Sequence, residues 1–153
     1  MAKRTAIIDI GSNSVRMVIF EKTSRFAFHL LHEVKSRVRI SEHAYENDGN
    51  LQPAAIDRAL SALRDFTTIS ASYSVRKTLC VATSAVRDAP NKNDFLKRVK
   101  DEIGLNIKVI DGEKEAYLGG IACANLLPRT DAVTIDIGGG STEFAYLQNG
   151  AVL

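Results

Sequence analysis

The chain has 153 residues, 45% of them hydrophobic and 25% charged, which is the make-up of one ordinary globular domain able to bury a core. Its 20 basic and 18 acidic residues are spread along the chain for a net charge of +2, so it lacks the footprint of a general nucleic-acid binder while leaving room for a polyanion held at one place. Two cysteines are too few for a disulfide scaffold, Asp9 breaks the first apolar run, and no segment approaches the roughly 18 apolar residues that span a bilayer; reduced thiols, no leader, no membrane and a cytoplasmic location are expected.

Residues 4–10, 14–21 and 26–40 read as three strands, because β-branched and aromatic residues cluster there and "GSN" and "KTS" supply turns between them. They form a meander in which Asp9 looks buried between apolar neighbours. "SEHAYENDGN" follows as a polar loop. Pro53 suits the first turn of a helix running to about Tyr73, with Ile56, Leu60, Leu63 and Phe66 as its core stripe.

"RKTLCVATSAV" reads as a buried strand ending in a small-residue loop. Asn91 precedes a second helix whose apolar face is Phe95, Leu96, Val99 and Ile103, and Gly104 stops it. "NIKVID" is a short strand. "GEKEAYLGGIACANLL" is a third helix, loosened by Gly119-Gly120 and closed before Pro128. Three early strands followed by alternating helix and strand indicate a mixed α/β sheet.

From Asp131 the pattern restarts. Aligning Ile8-Asp9-Ile10-Gly11 with Ile135-Asp136-Ile137-Gly138 also sets Ser14 opposite Ser141, with apolar strands on both sides, so the chain holds an internal pseudo-repeat. Residues 1–128 read as a first domain and 129–153 as the opening hairpin of a second, truncated one, which suggests a fragment of a longer protein.

A glycine-rich turn between strands aims consecutive backbone N–H groups at one point and makes an anion-binding concavity. Gly11 and Gly138, Gly139 and Gly140 let a phosphoryl group approach the backbone, while Ser12, Asn13, Ser14, Ser141 and Thr142 add side-chain donors. Asp9 and Asp136 stand beside these turns. Such carboxylates hold Mg²⁺ directly or through water, or else cap their turns by accepting backbone N–H groups; the repetition favours the first reading.

Four motifs in this order, "DIGSNSVR", "ATSAVRDAPN", "DGEKEA" and "IDIGGGSTE", resemble those of the exopolyphosphatase and guanosine pentaphosphate phosphohydrolase family, within the superfamily of actin, sugar kinases and heat-shock ATPases. The resemblance covers residues 4–150. It implies a ribonuclease H-like (actin-like ATPase) domain, a mixed sheet with the first three strands antiparallel and flanking helices. It implies a cytoplasmic Mg²⁺-dependent hydrolase of the stringent response, a homodimer in the parent protein. Its substrates would be inorganic polyphosphate or guanosine penta- and tetraphosphate, with the two glycine turns facing each other across a cleft.

Residue by residue, Glu115 matches the family's catalytic glutamate and would orient or deprotonate the attacking water. Alone it could be a first-turn carboxylate favoured by the helix dipole. Arg87 could hold phosphate oxygens bidentately or pair with Asp88 or Asp94. Thr83 and Ser84 are phosphate donors or helix caps. Asp136 is the preferred metal carboxylate, Glu143 a second that matches the family's glutamate, and Asp9 a helper through water.

His29, His32 and His43 have no partners at zinc-ligand spacing. Lys35, Arg37 and Arg39 would share one strand face, a solvated surface or a polyphosphate track. Members usually carry a glycine after an Arg-Leu pair past the third strand, whereas this chain has Ser41 in "RIS". Two other readings remain: a sensor that binds polyphosphate or guanosine tetraphosphate without hydrolysis, and a kinase of the same superfamily. Val133–Leu147 would expose open strand edges and promote self-association.

Overall fold

A computed structural model describes residues 3–25 and 27–153. The predicted first residue of the third strand, Phe26, lies outside the described residues, as do Met1 and Ala2 of the predicted first domain. Strands β1 (Lys3–Ile10), β2 (Val15–Lys22) and β3 (Phe28–Ser36) form the expected antiparallel meander. Helix α1 (Pro53–Ser72), strand β4 (Lys77–Ala82), a helical turn α2 (Ser84–Arg87), helix α3 (Lys92–Ile103) and strand β5 (Ile107–Val109) follow. Their sheet has the order β3-β2-β1-β4-β5, and β4 and β5 add in parallel, which is the ribonuclease H-like arrangement.

The period of two along β1 decides what each face does. Ala6, Ile8 and Ile10 are fully buried and pack with Ile56, Leu60, Leu63 and Phe66 of α1 and Phe95 and Val99 of α3. Asp9 points to the other face and is open to solvent, so its apolar neighbours in sequence are not its neighbours in space. Gly104 ends α3 with φ of 79°, a conformation that favours glycine, and its N–H donates to the Lys100 carbonyl at 3.0 Å.

Several sequence boundaries move. The third strand stops at Ser36, and Arg39 has φ of 46°, so Arg37 and Arg39 do not continue a strand face with Lys35. The strand before α2 ends at Ala82, because Ser84–Arg87 curl into a helical turn. Asn91 does not cap α3 with its side chain; its amide instead donates to and accepts from the Leu51 backbone, each at 2.9 Å. In the polar loop, Tyr45–Asn47 form one 3-10 turn.

Helix α4 (Gly112–Leu126) runs unbroken through Gly119-Gly120. It packs on a second, antiparallel sheet of β6 (Ala132–Ile137), β7 (Thr142–Gln148) and β8 (Ala151–Val152). A Cβ on Gly120 would stand 3.0 Å from both Ala145 Cβ and Val152 Cγ1, so glycine there allows close helix-to-sheet contact and does not loosen the helix. Among the described residues no helix is long and apolar enough to cross a membrane.

Candidate phosphate-binding and catalytic site

The two glycine turns have the same backbone construction. Gly11 N–H donates to the Ser14 carbonyl at 3.1 Å and Gly138 N–H to the Ser141 carbonyl at 2.9 Å. The ladders beside them also correspond, Asp9 opposite Arg16 and Asp136 opposite Glu143. The repeat is therefore structural, with one chemical difference: the first hairpin sets an arginine across from its aspartate and the second a glutamate. Arg16 is engaged by Glu33 at 2.7 Å.

The turns meet. A Cβ on Gly139 would lie 2.6 Å from Asn13 Nδ2, and one on Gly140 would lie 2.8 Å from Ser12 Oγ and 2.9 Å from Ser84 Oγ. Ser12 and Ser84 are buried and share a hydrogen bond of 3.2 Å between their hydroxyls. Ser12, Asn13, Ser84, Gly139 and Gly140 thus converge. Thr83 and Ser84 stand at the start of α2, but Thr83 makes no side-chain cap there; its hydroxyl favours the charged form of Glu115.

Glu115 sits in the first turn of α4, whose start is fixed by Asp111 accepting from Lys114 N–H at 2.7 Å. Arg87 Nη1 donates to Glu115 Oε2 at 2.9 Å, and Arg87 Nε donates to Asp88 Oδ1 at 3.2 Å. Of the two partners predicted for Arg87, Asp88 is therefore real, and Glu115 is the addition. Burial pushes the Glu115 carboxyl up, the Arg87 hydrogen bond pulls it down and the Glu143 charge raises it again, leaving it above its ordinary value. Burial opposes the Arg87 charge, but Glu115 and Asp88 hold that guanidinium above its ordinary value. Arg87 thus does not offset burial and the Glu143 charge together.

Asp9, Asp136, Glu143 and Glu115 are linked through one ladder pair and their mutual charge. Asp9 is raised first by desolvation from the protein around it, against the pull of Arg16, and then by the charge of Asp136. Asp136 and Glu143 are ladder partners, and Glu143 acts on Glu115. Among the described residues no three His, Cys, Asp or Glu side chains form a ready-made cage for a metal ion. Mg²⁺ commonly keeps several waters and takes one or two carboxylates together with substrate phosphates, and the ladder pair Asp136 and Glu143 has the donor chemistry such a mode would need.

Other residues reinforce the first turn without a sequence signal. Arg39 N–H donates to the Asn13 carbonyl at 2.9 Å, and the Ser41 hydroxyl donates to the Ser12 carbonyl at 3.3 Å. The left-handed backbone at Arg39 that permits this has no marker in the chain. The capping role of Asp111 was legible as an aspartate directly before a helix. The histidines lie elsewhere, His32 stacked on Tyr73 and His43 against Glu46. Cys80 is buried beside this region, and burial, followed by the Asp9 charge, pushes its thiol up to about 12, so it is an inert core group.

The Ppx/GppA phosphatase family matches residues 18–153. A bifunctional 3-dehydroquinate synthase/phosphatase of Fusobacterium nucleatum is 37% identical over 91% of this chain and 22% of its own length. Exopolyphosphatase 2 of Mycobacterium tuberculosis is 34% identical over 92% of this chain and 47% of its own. The crystal structure of an exopolyphosphatase from Cytophaga hutchinsonii superposes with a TM-score of 0.92 at 32% identity, covering 99% of this chain and 48% of that one. The chain spans less than half the length of each of these proteins.

Proposed function

The chain belongs to the Ppx/GppA phosphatase family, and from that premise we propose that it carries the hydrolytic half-site of a phosphohydrolase that removes terminal phosphate from inorganic polyphosphate or guanosine pentaphosphate. The observation that supports this most is the Arg87–Glu115 contact of 2.9 Å beside two glycine turns already in contact.

Phosphoanhydride hydrolysis asks a protein mainly to position the phosphoryl group, neutralise its charge and orient water. Backbone N–H groups of Ser12–Asn13 and Gly139–Gly140, with the Ser12, Ser84 and Asn13 side chains, bind the terminal phosphate. Arg87 turns its guanidinium from Glu115 to the phosphate oxygens as the anion arrives, a bidentate contact that strengthens as charge develops. Glu115, released from Arg87, accepts a proton from water; its raised carboxyl makes it a better base than an ordinary glutamate. Mg²⁺, which Asp136 and Glu143 would hold with Asp9 acting through water, supplies neutralisation of phosphate charge when bound.

Phosphate release from long-chain polyphosphate and guanosine pentaphosphate, with and without Mg²⁺, tests the reading on the chain extended to the length of its relatives. Metal-dependent release that collapses in Glu115→Gln is expected. Release indifferent to that substitution would remove Glu115 as the base, and no release from either substrate would remove the hydrolase.

A further inference from the structure

The carbonyls of the first glycine turn are held from outside the site. The Ser41 N–H and hydroxyl donate to the Ser12 carbonyl at 3.4 and 3.3 Å, and Arg39 N–H donates to the Asn13 carbonyl at 2.9 Å. A trans peptide is planar and carries its N–H opposite its carbonyl, so pinning these two oxygens also fixes the direction of the Asn13 and Ser14 N–H groups. The loop that follows β3 therefore sets how the turn presents its donors to an anion.

That loop is itself held in an unfavourable shape. Val38 and Ile40 are fully buried, and Arg39 between them has its left-handed φ of 46°, which an arginine keeps only where its surroundings impose it. Arg58, on the core-seated helix α1, supplies the constraint. Its Nε donates to the Val38 carbonyl at 2.9 Å, and its Nη2 donates to Glu42 Oε2 at 2.6 Å and to the Arg39 carbonyl at 3.4 Å.

The Val38 carbonyl and the Arg39 N–H belong to one peptide. A line of hydrogen bonds thus runs from the Arg58 guanidinium through the Val38–Arg39 peptide to the Asn13–Ser14 peptide, each unit polarising the next. A half-exposed arginine–glutamate pair alone would contribute little. Here the same planar fork also fixes two backbone carbonyls, which the point charge of a lysine cannot do in one geometry.

We infer that Arg58 is a positioning residue of the phosphate site, acting through the Val38–Arg39 peptide to hold the first glycine turn in its anion-binding shape. This role rests on the phosphohydrolase reading and adds to it a residue outside all four motifs. The departure at Ser41 strengthens the same hold, because its hydroxyl gives the Ser12 carbonyl a second donor.

The test uses the chain extended to the length of its relatives, with Arg58→Ala, Arg58→Lys and a control on the same helix, Arg64→Ala, whose arginine pairs with Glu102 of α3. Phosphate release from long-chain polyphosphate gives kcat and KM. Calorimetry with inorganic tripolyphosphate, on the Glu115→Gln background, gives affinity without turnover. Arg58→Ala should raise KM and weaken tripolyphosphate binding by about tenfold, the scale of a lost hydrogen bond to a charged group, with kcat changed much less. Arg58→Lys should recover part of the loss, and Arg64→Ala should match the unmutated protein. A residue that merely supports the fold would lower the active fraction, cutting kcat at constant KM.

Constant KM and tripolyphosphate affinity in Arg58→Ala, an equal loss in Arg64→Ala, or no tripolyphosphate binding before Arg58 is changed would overturn the positioning role. If Arg58→Ala does not fold, Arg58→Lys decides by the same comparison. Phosphate release indifferent to Arg58 would sink the positioning role and leave the hydrolase standing. Tripolyphosphate binding that depends on Arg58, without phosphate release, would do the reverse.

Discussion

Arg87 and Glu115 are joined by a 2.9 Å hydrogen bond although they belong to elements packed on different sheets, α2 beside the first and α4 against the second. The bond holds the Glu115 carboxyl down while burial and Glu143 lift it. Because the net direction is upward, the basic form is lost at a higher pH than for an unperturbed glutamate near about 4.3. The acid limb of kcat/KM should lie above that value. Arg87→Gln should shift it further up and lower kcat/KM by roughly 10²–10³, the scale of one lost charge-stabilising donor. A limb that stays fixed in the variant would assign it to another group.

Asp9 is raised as well, so the folded protein holds this proton more tightly than the unfolded chain does. Below the ordinary carboxylate range both states are protonated and the group contributes nothing; above the raised value, ionised Asp9 costs stability. Asp9→Asn should therefore raise Tm at pH 7, and the gain should vanish near about pH 3, below both values. A variant less stable at pH 7 would show that the carboxylate is needed to hold its turn.

The glycines of the second turn should differ in tolerance. At Gly139 the nearest obstacle is the end of the Asn13 side chain, which can swing away, whereas at Gly140 an added methyl meets two buried serine hydroxyls. Gly140→Ala should cost more phosphate affinity than Gly139→Ala, with little difference in Tm between them. Phosphate titrations of both variants decide this, and the reverse order would mean that the turns are not held together by Ser12 and Ser84.

Asn91 braces Leu51 through both halves of its amide. Asn91→Ala leaves a buried-loop N–H and carbonyl without these partners and should destabilise by about 1–3 kcal/mol in denaturant unfolding. A change well below 1 kcal/mol would mean water replaces the brace without loss.

On the second sheet Ala145 and Leu147 are buried, while Val133, Ile135, Phe144 and Tyr146 leave the opposite face bare, with β6 at its edge. Expressed as these 153 residues, the chain should self-associate with rising concentration. Ile135→Lys should weaken that association. Sedimentation showing a monomer throughout a wide concentration range would refute it.

Legibility in the sequence followed the range of the forces involved. Alternation in β1 and β2, Pro53 at the start of α1 and Gly104 at the end of α3 are local signals, and the structure keeps them. The repeat around Asp9 and Asp136 was legible because both turns obey the same backbone rule. The end of β3 was not, since Arg39 adopts its left-handed backbone to reach Asn13, a residue in another turn. Gly120 reads locally as a weak point in a helix and becomes a packing surface only once Ala145 and Val152 are beside it. The Arg87–Glu115 contact likewise depends on distant elements and leaves no trace in spacing.

The seating of α4 gives the molecule a lever. With Gly120 drawn tight against Ala145 and Val152, the helix and the second sheet make one packed arm, and Glu115 stands in the helix's first turn, just after Asp111. Arg87 is fixed on the opposite arm. Any displacement of one sheet against the other would therefore show first in the spacing between the Glu115 carboxylate and the Arg87 guanidinium.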